Sequence, residues 1–343
     1  MPNPRFAPLL ERAEDALEAG NADDALALAR QMLREAPDDV DALDLAAVAQ
    51  RHLGDVEGAR DSYALLRELE PKNPAWPLSE ADLLVREAQD DRDLVEQGLE
   101  VLDEAERLVG RDPELRFELE LLRATALNQL GDFTEALASV RAALEVDPTS
   151  AEAQLEHGQA LFELCRFGEA RRVYQALVRD FPDEAWAHHA LGLLAERRGE
   201  DPTPYLARAR ALSPEEFPPP VHLSPEAFDQ AVAEAIEALP GHAKPALENC
   251  IIDVQPFPSD DDLAEGGLSP LILGVFRGAA VDERSPVSAA DHQTAHITLY
   301  QNNLERFAST RDELLEEIRI TVMHEVGHLL GLDEDELYER GLD

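Results

Sequence analysis

Apolar residues in the first 214 positions recur mainly at i, i+3 and i+4, with Ala and Leu as the dominant types. This spacing places them on one face of an α-helix, so the pattern predicts nearly continuous helical structure from about residue 5 to residue 214. A longer period underlies it, because Pro71 follows Pro37 by 34 residues and Pro182 follows Pro148 by the same 34. We therefore predict about six helix pairs, the last of which ends near Ser213.

One repeat is longer than the others. Pro113 lies 42 residues after Pro71, whereas Pro148 lies 35 residues after Pro113. We expect the additional residues to lengthen a helix around residues 83–97.

Small and aromatic side chains recur at matching positions of these repeats. Alanine fills a small-residue position of the second helix in four repeats, and tyrosine fills an aromatic position of the same helix in two (Ala25, Ala59, Ala136 and Ala170; Tyr63 and Tyr174). The 34-residue period with these residues resembles the tetratricopeptide repeat (TPR). The resemblance implies an all-α solenoid whose stacked helix pairs leave a concave groove, and such grooves bind peptides.

The helical pattern ends at a proline-rich stretch. Pro218, Pro219 and Pro220 follow one another and favour a stiff, extended segment. We therefore predict a linker at residues 215–220, between a TPR-like repeat domain (1–214) and a second domain (221–343).

The second domain mixes helix and strand signals. Ser224 is a candidate N-cap for a helix over residues 224–239, and apolar or alternating runs predict strands at 250–254, 271–276 and 296–300. An acidic stretch at 256–267 is expected to be a solvated loop. Thr310 and Glu313 form a capping-box pattern that begins a long helix ending near Leu330. This order predicts a small α+β domain with its last helix packed on the sheet.

Composition and charge narrow the classes of function. The chain has 72 acidic and 30 basic residues, a formal net charge of −42, which disfavours partners that carry phosphate charge, namely nucleic acids and anionic membranes. Only two cysteines occur, which excludes a disulfide framework. With so few cysteines, a reducing cytoplasm is the expected location. Neither a signal-peptide pattern nor a transmembrane-length apolar run is visible.

The last predicted helix contains the pattern H-E-x-x-H. His324 and His328 are four residues apart, so both imidazoles project from one face of the helix towards a single ion. Glu325 lies one step round the helix, close to that ion without ligating it. These residue types at this spacing predict a Zn²⁺ centre in which the glutamate takes a proton from the metal-bound water.

A catalytic zinc centre has three protein ligands and one water, so a third ligand is needed. Gly331 permits a left-handed turn after the helix, and a run of carboxylates follows it. Glu334 is the first candidate from its spacing, with Asp333 and then Asp335 as alternatives. Two histidines, His292 and His296, are further candidates because a strand could bring them to the site.

Residues 221–343 resemble the small bacterial zincin-like metallopeptidase family, also called minimal zincins. The resemblance rests on the helix containing Ser224 and Phe228, the segment Ile272–Gly278, the strand Ile297–Tyr300, and the H-E-x-x-H-x-x-G-x-x ending. The family has Asp at the last position of that ending, where this chain has Glu334. The resemblance implies a minimal zincin-like α+β fold, bound zinc and peptide-bond hydrolysis.

The sequence thus predicts a zinc metallopeptidase whose TPR array recruits a substrate or partner protein. The alternative is a TPR interaction module that carries an inactive or regulatory zinc-binding domain. In the first case we expect the substrate backbone to pair with an exposed strand edge at residues 296–300. Tyr300 is a candidate for stabilising the oxyanion, although an aromatic residue in a strand more often serves packing.

Overall fold

The computed structural model of the chain describes residues 5–88, 91–278, 295–333 and 336–337. Helices occupy this part of the chain as far as residue 212. Their bounds are α1 (Ala7–Glu18), α2 (Ala22–Glu35), α3 (Val40–His52), α4 (Val56–Leu69), α5 (Ala75–Arg86), α6 (Arg92–Val109), α7 (Pro113–Leu130), α8 (Phe133–Val146), α9 (Ala151–Glu163), α10 (Phe167–Asp180), α11 (Ala185–Arg197) and α12 (Thr203–Leu212).

The repeat helices pack against their neighbours in sequence. One core cluster joins α1, α2 and α3, a second joins α3, α4 and α5, and a third joins α5, α6 and α7. Buried alanines let the helices approach closely, as at Ala59 and Ala136, which are both 0% exposed. The predicted all-α repeat array is confirmed.

The extra residues of the long repeat do not lie where the sequence suggested. The expected long helix around 83–97 is wrong, because α5 ends at Arg86 and α6 begins at Arg92. Asp91 is the N-cap that begins α6, and its side chain accepts a hydrogen bond from the Leu94 amide. The added length lies instead in α6 and α7, each of 18 residues.

The chain divides into two compact units, residues 1–161 and 162–343. The second unit contains α10, α11 and α12 as well as everything that follows the proline-rich stretch. The linker that we predict at 215–220 therefore lies inside a compact unit, and its role as a domain boundary stays a prediction.

After α12, the second unit contains four further helices and a three-stranded sheet within its described residues. The helices are α13 (Pro225–Ala238), α14 (Asp260–Gly266), α15 (Gln301–Phe307) and α16 (Arg311–Leu329), and a 3₁₀ turn covers Lys244–Asn249. The strands are β1 (Cys250–Gln255), β2 (Gly274–Arg277) and β3 (Ala295–Tyr300). The small α+β region predicted for this part of the chain is confirmed.

Strand β3 lies in the centre of the sheet, whose order is β1-β3-β2. It pairs in parallel with β1, placing Ile252 opposite Ile297, and antiparallel with β2, placing Gly274 opposite Leu299. The expectation that residues 296–300 offer a free edge is therefore wrong, since both edges of β3 are hydrogen-bonded. Among the strands that the structure describes, β1 and β2 lie at the two edges of this sheet.

One face of the sheet packs on α13 and α16. Ile297 and Leu299 project from this face into a core with Phe228, Val322 and Val326. Because side chains alternate along a strand, His296, Thr298 and Tyr300 project from the opposite face. Tyr300 is 0% exposed there, beside Arg277 and Asp262, so its side chain points away from α16.

Two further local predictions are wrong. The acidic stretch expected to be a loop contains α14, which begins with a capping box between Ser259 and Asp262. The second strand begins at Gly274 and not at residue 271. Within the described residues no helix has both the length and the apolar character needed to cross a membrane.

Helix α11 contacts the C-terminal part of its unit through Arg197. The side chain is only 9% exposed, and its guanidinium donates to Pro258 O at 3.0 Å and to Asp260 Oδ1 at 2.8 Å. The same group lies between two aromatic rings, 4.4 Å from the centroid of Phe167 and 5.3 Å from that of Phe257. The last repeat helices and the sheet region therefore share buried contacts.

Candidate metal centre

Helix α16 carries the H-E-x-x-H pattern in its last two turns. A capping box begins the helix, since the Glu313 amide donates to Thr310 Oγ1 at 3.2 Å and the Thr310 amide donates to Glu313 Oε2 at 3.2 Å. The predicted capping of this helix is confirmed. Its buried side, including Ile318 and Val322, fixes the rotation of the helix against the sheet.

The two histidines lie side by side near the end of α16. Their Nε2 atoms are 3.1 Å apart, and the ring centroids are 4.7 Å apart with the ring planes at 85°. Two nitrogens that each lie about 2.0–2.1 Å from a tetrahedral zinc are about 3.3 Å from one another. The spacing and the donor type of His324 and His328 therefore fit a zinc ion.

A backbone carbonyl orients the second histidine. His328 Nδ1 lies 3.1 Å from Leu332 O, and because a carbonyl only accepts, Nδ1 carries the hydrogen. A neutral imidazole in this tautomer carries its lone pair on Nε2, the nitrogen next to His324, and metal-binding histidines are usually oriented by such a hydrogen bond from the other ring nitrogen. The turn that follows the helix thus stabilises the tautomer of His328 that can bind a metal ion through Nε2.

That turn is a Schellman motif centred on Gly331. Gly331 has a φ of +91°, its amide donates to His328 O at 3.0 Å, and the Leu332 amide donates to Gly327 O at 3.0 Å. The chain reverses here, and Leu337 becomes fully buried over Gly327. A Cβ on Gly327 would lie 2.4 Å from Leu337 Cδ2, so a larger residue here would force the Leu337 side chain to move.

Glu325 is 6% exposed and faces strand β2. A Cβ on Gly274 would lie 3.1 Å from Glu325 Oε1 and 2.7 Å from Thr321 Cγ2. Glycine at this position lets the strand pass close to the carboxylate. Sequence reasoning gave Gly274 no role, although its place in the Leu-Gly segment of the family resemblance was a signal for one.

The structure locates only some of the candidate third ligands. Asp333 is exposed and forms a capping box with Glu336, whose amide donates to Asp333 Oδ1 at 2.9 Å. Glu334, Asp335 and His292 lie outside the described residues. In the part of the chain that the structure describes, no three His, Cys, Asp or Glu side chains form a group that could hold a metal ion.

His296 lies in a different environment from the one expected of a ligand. Its Nε2 atom is 2.8 Å from Asp253 Oδ1, which also accepts a hydrogen bond from Thr298 Oγ1 at 2.9 Å. This cluster is on the face of the sheet opposite α16. The structure therefore does not bring His296 together with His324 and His328.

Comparisons with known families match both parts of the chain. Residues 247–342 match the family described as zincin-like metallopeptidase, and residues 10–74 and 127–196 match two tetratricopeptide repeat families. These matches confirm both predicted resemblances. A search of curated proteins found no match.

Solved structures share the repeat fold. PilW, titled a widely conserved type IV pilus biogenesis factor, aligns with a TM-score of 0.54 and 15% identity over 66% of this chain and 99% of PilW. The pilF protein of Pseudomonas aeruginosa aligns with a TM-score of 0.51 and 16% identity over 66% of this chain and 96% of its own. At this level of identity the likeness shows the fold alone.

Proposed function

We propose that the C-terminal part of the chain is a zinc-dependent metallopeptidase that hydrolyses peptide bonds. The observation that carries the proposal is the 3.1 Å separation of the His324 and His328 Nε2 atoms, with the buried Glu325 between them in sequence. The family match over residues 247–342 supports the same class of activity.

Each residue of the motif has a chemical role in this proposal. His324 and His328 would hold the Zn²⁺ ion, which supplies a more acidic bound water and polarises the substrate carbonyl. Glu325 takes the proton of the attacking water and then passes it to the leaving amine. Burial beside Gly274 keeps this carboxylate in one position, so the proton acceptor is in place before the substrate binds.

We assign the third ligand to Glu334, with Asp333 as the alternative. The support is the course of the chain on either side of residue 334. Gly327 is on the same helix face as His324, three residues earlier, and Leu337 packs on it. Leu337, three residues after position 334, therefore lies beside the helix turn that carries the histidines, and Asp333 already uses one oxygen to accept the Glu336 amide.

Substrate and partner binding would use different parts of the molecule. Among the described strands β2 lies at one edge of the sheet and passes next to Glu325, so an extended peptide paired with it would lie beside the proton acceptor. The TPR array would recruit a protein or peptide partner. Cys165 and Cys250 are not joined in a disulfide, which supports a reducing cytoplasm as the compartment.

The test compares two glutamate substitutions on α16 in the full-length protein. Glu325→Gln should keep one zinc per chain and lower hydrolysis of a peptide library by at least about 100-fold, the usual effect of losing a general base. Glu316→Gln is the matched control, because Glu316 is exposed on the same helix and pairs with Arg319. Undiminished hydrolysis by Glu325→Gln would refute the proposal, and zinc without cleavage by the wild type would favour the interaction-module alternative.

A further inference from the structure

A cavity of about 460 Å³ lies in the second compact unit, apart from the histidine motif. Its walls come from α12, from the proline-rich stretch before α13, and from α15. Ligand-binding pockets usually measure roughly 300–1,000 Å³ and often occur where structural layers meet. The size and the position of this cavity are therefore those of a binding site.

The carboxylate of Glu305 is already saturated by partners. This side chain is only 4% exposed, and it accepts hydrogen bonds from the Leu223 amide at 3.0 Å and from Gln301 Nε2 at 2.7 Å. His222 Nδ1 lies 2.7 Å from its second oxygen. Glu305 therefore serves to join the proline-rich stretch to α15, and it has little capacity left for a ligand.

Glu196 and Arg306 satisfy each other across the same cavity. Arg306 donates to Glu196 Oε2, and Asn302 Nδ2 donates to Glu196 Oε1 at 3.0 Å. With Glu305 and His222 also paired, four of the five charged or titratable side chains in the wall have partners. The fifth is Arg210.

Arg210 on α12 is the exception. Its Nε atom is buried without a hydrogen-bond partner, and the guanidinium makes no ion pair with any described residue. Buried polar atoms in folded proteins are almost always satisfied, so the unpartnered Nε of Arg210 in a cavity wall points to a ligand that would accept its hydrogen. The cavity wall thus contains one guanidinium, that of Arg210, which forms no ion pair with a carboxylate among the described residues.

The surroundings of Arg210 select the type of anion. A guanidinium binds a carboxylate through two parallel hydrogen bonds. Leu206, Pro219 and Pro220 give the cavity an apolar wall, which suits a ligand with an apolar body next to its charge. The neighbouring carboxylates of Glu196 and Glu305 disfavour a doubly charged phosphate. We propose that this cavity binds a carboxylate-bearing ligand with a small apolar body, anchored by Arg210.

Two sources share this chemistry, the free C-terminus of a peptide and a small carboxylic acid. Calorimetric titration of the full-length protein with N-acetyl-Gly-Leu, its carboxamide, and isovalerate separates them. We expect the free-acid peptide or isovalerate to bind and the carboxamide not to bind. Binding of the peptide acid alone identifies a chain terminus, and equal binding of isovalerate identifies a small acid; either result supports the carboxylate site.

Variants of α12 test the anchor. Arg210→Gln should weaken binding of the acid by at least about tenfold, which is the effect of losing one charge-assisted hydrogen bond. Arg210→Lys should weaken it less, because the charge remains. Arg208→Gln is the matched control, since Arg208 lies on the same helix outside the cavity and pairs with Asp183.

Three results would overturn the proposal. They are equal binding of the acid and the carboxamide, no binding of either acid by the wild-type protein, and unchanged binding by Arg210→Gln. Because the titration measures binding alone, its outcome does not depend on zinc or on peptide hydrolysis.

Discussion

Gly274 shows how a single missing side chain shapes the candidate site. Strand β2 and helix α16 meet at this glycine, and the Glu325 carboxylate lies against it. A larger residue would push apart the sheet edge and the proton acceptor.

We therefore expect Gly274→Ala to lower the free energy of unfolding by about 1–3 kcal/mol, because the new methyl group would overlap Thr321 Cγ2. Peptide hydrolysis should fall as well, since Glu325 would be displaced. Urea unfolding and a peptide assay measure the two effects.

Thr321→Ser provides the control for this prediction. Serine lacks the Cγ2 atom that the new methyl would meet, while it keeps the hydroxyl. The double variant Gly274→Ala with Thr321→Ser should regain part of the lost stability. If it unfolds at the same urea concentration as Gly274→Ala alone, the steric explanation is wrong.

His189 links the stability of the second unit to pH. Burial, and then the positive charge of Arg306, lower the pKa of His189 to about 4, below the ordinary value of 6.5. Between these values the unfolded chain takes up a proton that the folded protein does not. The contribution of the buried neutral His189 to the free energy of unfolding is therefore fully present above about pH 6.5. It is lost as the pH falls towards 4.

We expect His189→Phe to remove this dependence of the unfolding free energy on pH. In the wild-type protein the dependence amounts to as much as about 3 kcal/mol. Phenylalanine should be accommodated because His189 stacks on Phe217, with centroids 4.6 Å apart. Unfolding free energies measured from pH 4 to pH 7 should fall less steeply with decreasing pH in the variant. Parallel curves for the two proteins would contradict this assignment.

At the scale of elements, the end of α16 is the part that organises the candidate centre. Its Schellman motif orients His328 through Leu332 O and returns the chain over Gly327. Both effects depend on the left-handed conformation of Gly331.

Gly331→Ala should lower stability by about 1–2 kcal/mol, because a left-handed conformation is unfavourable for alanine, and it should also weaken zinc binding. Gly199→Ala is the matched control, since Gly199 has a φ of +68° after α11 with open space around it. We expect the control to lose similar stability and to keep its zinc affinity in a competition titration with a chelator. Equal zinc affinities in all three proteins would show that the turn does not support the centre.

The elements that the sequence predicts correctly are those with local signals. Thr310, Glu313 and Gly331 mark the ends of α16 by capping chemistry alone, and the proline period indicates the repeat helices. Helix α14 was missed because three consecutive aspartates suggested a solvated loop, although Ser259 and Asp262 form a capping box.

Strand order could not be predicted in the same way. Residues 295–300 alternate as an edge strand would, yet both of their neighbours come from distant parts of the chain. The polar residues of the outer face are buried by contacts that the alternation does not encode, with Thr298 at 2% and Tyr300 at 0% exposure. The third ligand has the same difficulty, since spacing favours Glu334 but does not fix its position.

At the scale of the whole molecule, the last repeat helices and the sheet region belong to one compact unit. Arg197 contributes to this contact through hydrogen bonds to Pro258 and Asp260, and its guanidinium lies over the rings of Phe167 and Phe257. This buried arrangement differs from a flexible connection between a repeat array and a separate domain.

Arg197→Gln in the full-length chain should lower the free energy of unfolding of the second unit by about 2–3 kcal/mol, because charge-assisted bonds and cation–π contacts are lost together. The neighbouring Arg198 is 61% exposed and pairs with Glu200. Arg198→Gln should therefore stay within about 0.5 kcal/mol of wild type. Equal effects of the two substitutions in chemical unfolding would contradict a buried anchoring role for Arg197.

The central claim is that His324 and His328 hold a catalytic zinc ion. An anomalous-scattering measurement at the zinc absorption edge, on crystals of the zinc-loaded full-length protein, tests it most directly. We expect one peak about 2.0–2.1 Å from both Nε2 atoms, with one carboxylate ligand and an open fourth position. A peak elsewhere, or a fourth protein ligand that closes the site, would contradict it.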